Sequence, residues 1–172
     1  MTDSVEANVD VYSRPSDLKI TDMRVVNLRG APFRSTIIRL DTNQGICGYG
    51  EVRDGGSDTY ALILKSRLIG ENPCNVDKIF RKIKQFGNHA RQAGGVCGIE
   101  MALMDLAGKA YGVPAYQLAG GKFRDRVLCY CDTPSEKKGS DMGRRLKERI
   151  EDGFGFLKMD VGIGLLSDTE NT

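Results

Sequence analysis

Alternation of apolar and polar positions marks three extended stretches early in the chain: LKITDMRVVNL (18–28), STIIRLDT (35–42) and ICGYGEV (46–52), all rich in β-branched residues. The short DTNQG between the last two supplies turn residues, so the pattern predicts a hairpin within a small antiparallel sheet. The period then lengthens to that of a helix. In SDTYALILKSRLIGENP, Ser57 or Asp58 is the N-cap, Ala61, Leu62, Leu64 and Leu68 form the inward face, and Gly70 with Pro73 stops the element. A second helix starts at Asn75, with Val76, Ile79, Phe80, Ile83 and Phe86 inward and Lys78, Arg81, Lys82 and Lys84 outward. The strongest periodicity lies in GVCGIEMALMDLAGKAYGVPAYQLAGG. There Val96, Ile99, Leu103, Leu106 and Ala110 make one stripe, Asp105 and Lys109 an i,i+4 pair, and Gly112 followed by Pro114 a stop.

After GGKFRDR the character changes. VLCYC (127–131) and FGFLKMDV (154–161) are short runs expected to be buried strands, and DMGRRLKERIEDG (141–153) between them is an amphipathic helix with Met142, Leu146 and Ile150 inward. A strand–helix–strand unit of about 35 residues points to parallel strands joined by a crossover. Two parallel strands need neighbours and cover on both faces, so the chain reads as unfinished at Thr172. Along the second strand, Phe154, Phe156, Lys158 and Asp160 share one face and Leu157, Met159 and Val161 the other. A face that is apolar at its start and charged at its carboxyl end suits the inner wall of a β/α barrel. A lysine held at such a rim can be desolvated enough to act as a base. The bland alternative is that Lys158 and Asp160 satisfy one another as a structural ion pair.

Composition narrows the classes. A 172-residue chain with 40% hydrophobic residues fits a folded globular protein, and 25 Lys+Arg against 23 Asp+Glu is too balanced to suggest a nucleic-acid or anionic-membrane partner. The basic helix face at 78–84 lacks an aromatic platform and reads as a solvated surface. No apolar run approaches the roughly 20 residues of a membrane span, and MTDSVEANVD is acidic where a signal peptide would be basic, so a cytoplasmic chain with a flexible leader over residues 1–16 is expected. Five cysteines without CxxC spacing read as reduced thiols, and Cys129 and Cys131 lack the companions a soft-metal site needs. Gly162 and Gly164 follow a strand, but Ser167 replaces the third glycine of a dinucleotide fingerprint. His89 has no ligand or nucleophile at a telling spacing. The polar connections RGAPFRST (29–36) and VRDGGSDT (52–59) read either as ordinary loops or as mobile lids.

GVCGIEMALMDLAGKAYGVPAYQLAGG resembles the signature of the mandelate racemase and muconate lactonizing enzyme family, within the enolase superfamily, where a helix of type AIEMALWDLAGK precedes GVPVYQLLGG. GICGYGEV is similar to that family's G-x-G-E hairpin, and FLKMDVG falls where its Lys-x-Lys motif ends the second barrel strand. The resemblance implies an α+β capping domain, an antiparallel hairpin sheet plus helices, over residues 17–125. Residues 126–172 would then be the first β/α elements of a TIM-like (β/α) barrel, the chain being truncated. It also implies Mg2+ chemistry: carboxylates on barrel strands three to five hold the ion, a small carboxylate substrate chelates it, and the proton beside that carboxylate is removed. Those ligands lie outside this chain, so the 172 residues alone are expected to be inactive. A homo-oligomer is expected.

Residue by residue, Lys158 matches the first lysine of the motif, near the substrate carboxylate, while Asp160 stands where the second lysine, the usual base, is found. The swap removes a positive charge and shifts the expectation from racemase or cycloisomerase chemistry to dehydration of a sugar acid, with a base from the opposite side of the barrel. Asp132 sits where relatives present a polar group to the substrate. Phe33, Arg34, Arg53 and Asp54 fall in the lid loops that choose it, and Arg34 or Arg53 could clamp a distal carboxylate or hydroxyl cluster. The alternative is a non-catalytic fragment whose cap serves as an interaction or oligomerisation module.

Overall fold

A computed structural model describes residues 13–31, 34–52, 56–87 and 93–159. The chain divides between Lys122 and Phe123 into two compact units.

The first unit is built on β1 (Ile20–Asn27), β2 (Thr36–Thr42) and β3 (Cys47–Val52), paired antiparallel in that order. The register sets Met23 against Leu40 and Ile38 against Gly50. Strict alternation follows from the period of two: Thr36, Ile38, Leu40 and Thr42 of β2 are buried and the residues between them half-buried. Helix α1 (Asp58–Ile63) starts at Ser57, whose Oγ accepts from the Tyr60 amide at 3.1 Å, and passes into a 3-10 turn at Leu64–Arg67. Helix α2 (Val76–Ile83) runs on into another at Lys84–Gly87. Helix α3 (Ala93–Tyr111) is the long element, and a single turn, α4 (Ala115–Leu118), follows Pro114 where the sequence predicts only a stop.

The core lies between the sheet and these helices. Ile99, Leu103, Leu106 and Ala110 of α3 are fully buried with Val96 nearly so, as the stripe predicts, and Val96, Ile99, Leu103 and Leu106 share one cluster with Met23, Ile38, Leu40, Leu64, Leu68, Ile79 and Ile83. Each Leu or Ile buried there contributes about 1.5–3 kcal/mol. One expectation fails: Leu62 is exposed, because at about 100° per residue it lies a quarter-turn or more round the helix from the face that Ala61, Leu64 and Leu68 bury.

Strand β3 and helix α3 approach closely, and glycine makes this possible. A Cβ on Gly48 or Gly50 would collide with the carbonyl oxygens of Ala102 or Gly98, and a Cβ on Gly98 would lie 2.9 Å from the Glu51 carbonyl oxygen. The G-x-G of the hairpin is therefore a packing device. The same helix completes the sheet's open edge: Asp105 accepts the Tyr49 amide at 2.9 Å, and Lys109 donates to the Cys47 carbonyl at 2.9 Å while pairing with Asp105 at 2.6 Å. The other edge is closed at its start, where Ile20 exchanges backbone hydrogen bonds with Gly70 and Glu71.

Residues 13–16, expected to belong to the flexible leader, are instead tied down. Ser13 Oγ donates to the Ala110 carbonyl at 2.7 Å, Arg14 is bonded through both backbone groups to the Gln44 side chain, and Asn72 donates to the Pro15 and Ser16 carbonyls. The outward cations of α2 are also engaged, Lys78 and Lys82 with Glu71 and Arg81 with Asp77.

The second unit contains β4 (Cys131–Thr133), α5 (Gly139–Glu151) and β5 (Leu157–Met159). The strands are parallel, pairing Cys131 with Leu157, Asp132 with Lys158 and Thr133 with Met159. Among the described residues, strand structure covers Cys131–Thr133 and Leu157–Met159, three residues apiece where the sequence suggests runs of five and eight; Asp160 and Val161 of the second run lie outside the described residues. Val127, Leu128, Tyr130, Phe156 and Met159 are exposed, Leu128 at 81%. Ile150, predicted inward, is exposed as well, while Met142 is buried. Over the described residues the strand pair spans about 10 Å, against about 20 Å for the 13-residue helix beside it.

Candidate functional site

In the second unit the parallel register brings Asp132 and Lys158, the middle residues of adjacent strands, side by side, with Lys158 Nζ 3.0 Å from Asp132 Oδ1. Extended backbone repeats every two residues, so Tyr130 and Phe156 precede them on the same face. Their rings meet edge-on with centroids 6.1 Å apart, and Lys158 Nζ lies 5.8 Å from the Tyr130 ring centre. The face thus reads aromatic, then charged, as the sequence pattern suggests. Among the described residues Lys158 pairs with Asp132 on the neighbouring strand. Both side chains reach solvent, at 45% and 58% exposure.

In the first unit Arg34 stands at the mouth of β2. Its Nη2 lies 3.1 Å from Asp58 Oδ2, which also accepts from Asn27 Nδ2 at 2.8 Å, while Asp58 Oδ1 accepts the Thr59 amide at 2.8 Å. Asn27 in turn accepts from Thr36 Oγ1. The Asn27 hydrogen bond first, then the Thr59 amide and Arg34, hold the Asp58 carboxyl below the usual carboxylate range, against a desolvation that opposes them. Arg34 is thereby committed to Asp58 while its guanidinium stays more than half exposed.

Of the residues expected in the site, Lys158, Asp132 and Arg34 are placed. Asp160, Phe33, Arg53 and Asp54, with His89 and the Gly162–Gly164 stretch, lie outside the described residues. Sequence reasoning missed Asp58 and Asn27 as the partners that orient Arg34, and Tyr130 as a neighbour of Lys158. The first pair had a visible signal, an acidic residue in the first helical turn, but only the sheet register shows that it faces Arg34. Among the described residues no group of three or more His, Cys, Asp or Glu side chains could hold a metal ion. The magnesium implied by the resemblance therefore has no ligand set in them. All five cysteines are free, and no helix among the described residues is long and apolar enough to cross a membrane.

The model of the mandelate racemase / muconate lactonizing enzyme N-terminal domain matches residues 9–120. The chain belongs to this family. A D-xylonate dehydratase from Haloferax volcanii is 36% identical over 86% of the chain and 38% of its own length. A D-galactonate dehydratase from Pectobacterium atrosepticum is 33% identical over 83% of the chain and 38% of its own length. A hydrophobic dipeptide epimerase from Enterococcus faecalis is 30% identical over 92% of the chain and 46% of its own length. Among solved structures, an enolase from Agrobacterium radiobacter with bound sodium and L-malate superposes with a TM-score of 0.72 at 30% identity, over 84% of the chain and 40% of that one. An enolase-superfamily member from Salmonella Typhimurium gives 0.71 at 28% identity, over 83% of the chain and 42% of that one. The first unit is this family's capping domain, a three-stranded antiparallel sheet with its helices, and the chain spans less than half the length of the relatives it matches.

Proposed function

We propose that this chain is the N-terminal portion of an enolase-superfamily lyase that removes the proton beside the carboxylate of a sugar acid and expels a hydroxyl group, a sugar-acid dehydratase. The observation that carries the proposal is a lysine, Lys158, on the second of two parallel strands and paired with Asp132 of the first, in a chain 36% identical to a D-xylonate dehydratase. A cation at that rim attracts a substrate carboxylate and favours charge accumulating there as the proton leaves. Arg34, with donors beyond the one given to Asp58, has the chemistry to bind an anionic or hydroxyl-bearing group. Magnesium, held by carboxylates beyond the described residues, would supply Lewis-acid stabilisation of the same charge. Isomerisation is the second reading, favoured by the epimerase among the relatives.

The test follows the native protein in deuterium oxide with magnesium and a panel of sugar acids that includes D-xylonate and D-galactonate. Deuterium at the carbon beside the carboxylate, with a 2-keto-3-deoxy acid accumulating, is the expected result. Exchange with inversion and no loss of water would favour the isomerase. Neither exchange nor turnover, in a native protein no larger than 172 residues, would leave the capping unit as an interaction module. Lys158→Met should lower exchange on the order of a hundredfold or more.

A further inference from the structure

We propose that residues 13–19 form a clasp, a strap that opens and closes as one unit over an otherwise folded first unit and couples two turns and a helix end far apart in the sequence. The clasp belongs to the first unit alone and is independent of the reaction.

The opening segment of a domain frays unless something ties it down. Here three carboxamide side chains do so, each offering a donor and an acceptor at one tip. At the β2–β3 turn, Gln44 Oε1 accepts the Arg14 amide at 2.7 Å, and Gln44 Nε2 donates to the Arg14 carbonyl at 2.9 Å. Its neighbour Asn43 accepts the Lys19 amide at 2.8 Å through Oδ1 and donates to the Asp17 carbonyl at 3.0 Å through Nδ2. Between α1 and α2, Asn72 Nδ2 donates to the Pro15 carbonyl at 2.8 Å while Asn72 Oδ1 accepts the Cys74 amide at 2.9 Å. Ser13 Oγ adds a tie at Ala110, among the last carbonyls of α3, which a helix leaves without internal partners.

These ties are not independent. A 3-10 turn over Pro15–Asp17 fixes the spacing between them, and the buried Pro15 and Leu18 anchor it. Losing one tie frees backbone that the others need in place, so the strap has two states, closed with its ties made or open with them broken. A short segment with few buried side chains belongs to the low-stability end of a fold, where opening proceeds without global unfolding. A change at Gln44 is therefore felt at Asn72, although the two lie on different turns.

Amide hydrogen exchange in the native protein, read residue by residue by mass spectrometry with electron-transfer fragmentation, tests the clasp. Asn72 bonds neither the Arg14 nor the Lys19 amide. Asn72→Ala should nevertheless speed exchange at both by about three- to tenfold, the range a lost hydrogen bond supports, and change Leu103 in α3 by less than about twofold. Gln44→Glu keeps the acceptor for the Arg14 amide and loses the donor to its carbonyl, and should speed Lys19 by a similar factor. Were Asn72→Ala not to fold, Ser13→Ala, which removes one hydroxyl, carries the same expectation for Arg14 and Lys19. Unchanged exchange at Lys19 in these variants would show separate ties and overturn the clasp. Equal acceleration at Leu103 would overturn it too, since the whole unit would then be opening.

Discussion

The two units obey the same sequence rules and end differently. In the first, every element of the core has an opposing layer: the inner faces of β2 and β3 meet α3, and α3 meets Ile79 and Ile83 of α2. In the second, Met142 and Thr133 are the buried side chains among the described residues, while Val127 and Leu128 stand in solvent. An apolar run shows what a chain can bury. What covers it is a matter of tertiary partners, and three-residue strands cannot supply them.

The contrast is sharpest in a matched pair of truncations. Leu103→Ala removes a fully buried side chain and should cost about 2–5 kcal/mol, whereas Leu128→Ala should stay within about 0.5 kcal/mol. Urea denaturation decides it, and comparable losses would break the contrast between the units. Next in size is the glycine seam: Gly50→Ala forces β3 off α3 and should cost about 1–3 kcal/mol. Gly155→Ala in the second unit, where the added carbon meets nothing within 4 Å, should cost far less.

Acid gives the smallest effect. Glu71, through Lys82 first and Lys78 second, sits below the ordinary glutamate range in the folded chain. A depressed folded value means that the unfolded chain takes up the proton first, so this stabilisation is present at neutral pH and lost as pH falls through the carboxylate range. The gap in melting temperature between Glu71→Gln and the parent should be widest at neutral pH and close near about pH 3. A gap independent of pH would show that the pairs with Lys78 and Lys82 contribute nothing.

Much of the first unit was legible because its signals are local. The α3 stripe at Ile99, Leu103 and Leu106 follows from helical period alone, and the hairpin from DTNQG. Leu62 was misread because an apolar side chain next to Ala61 was assigned to its face, although the helical period carries it off the side that Leu64 and Leu68 share. The pair Asp105–Lys109 was legible by spacing, but not its second task of binding β3, which depends on which strand lies at the edge. In the candidate site, Phe156 and Lys158 on one face of the second strand could be read from alternation. The partnership of Lys158 with Asp132, 26 positions earlier, could not, since it depends on the register between two strands rather than on spacing within one. Arg34 was singled out as a clamp, and Asp58 as a helix cap; their meeting required β1, β2 and α1 to be in place.

The brace on β3 has a consequence for how the protein behaves in a crowd. An unpaired strand edge is a template on which a foreign strand can add, the first step toward swapped dimers and fibrils. At Tyr49 and Cys47 that template is already read, by a carboxylate and an ammonium projecting from a helix of the same chain. An intruding strand would have to evict both charges and replace their bonds with its own, so the sheet carries its own protection against templated growth along that side.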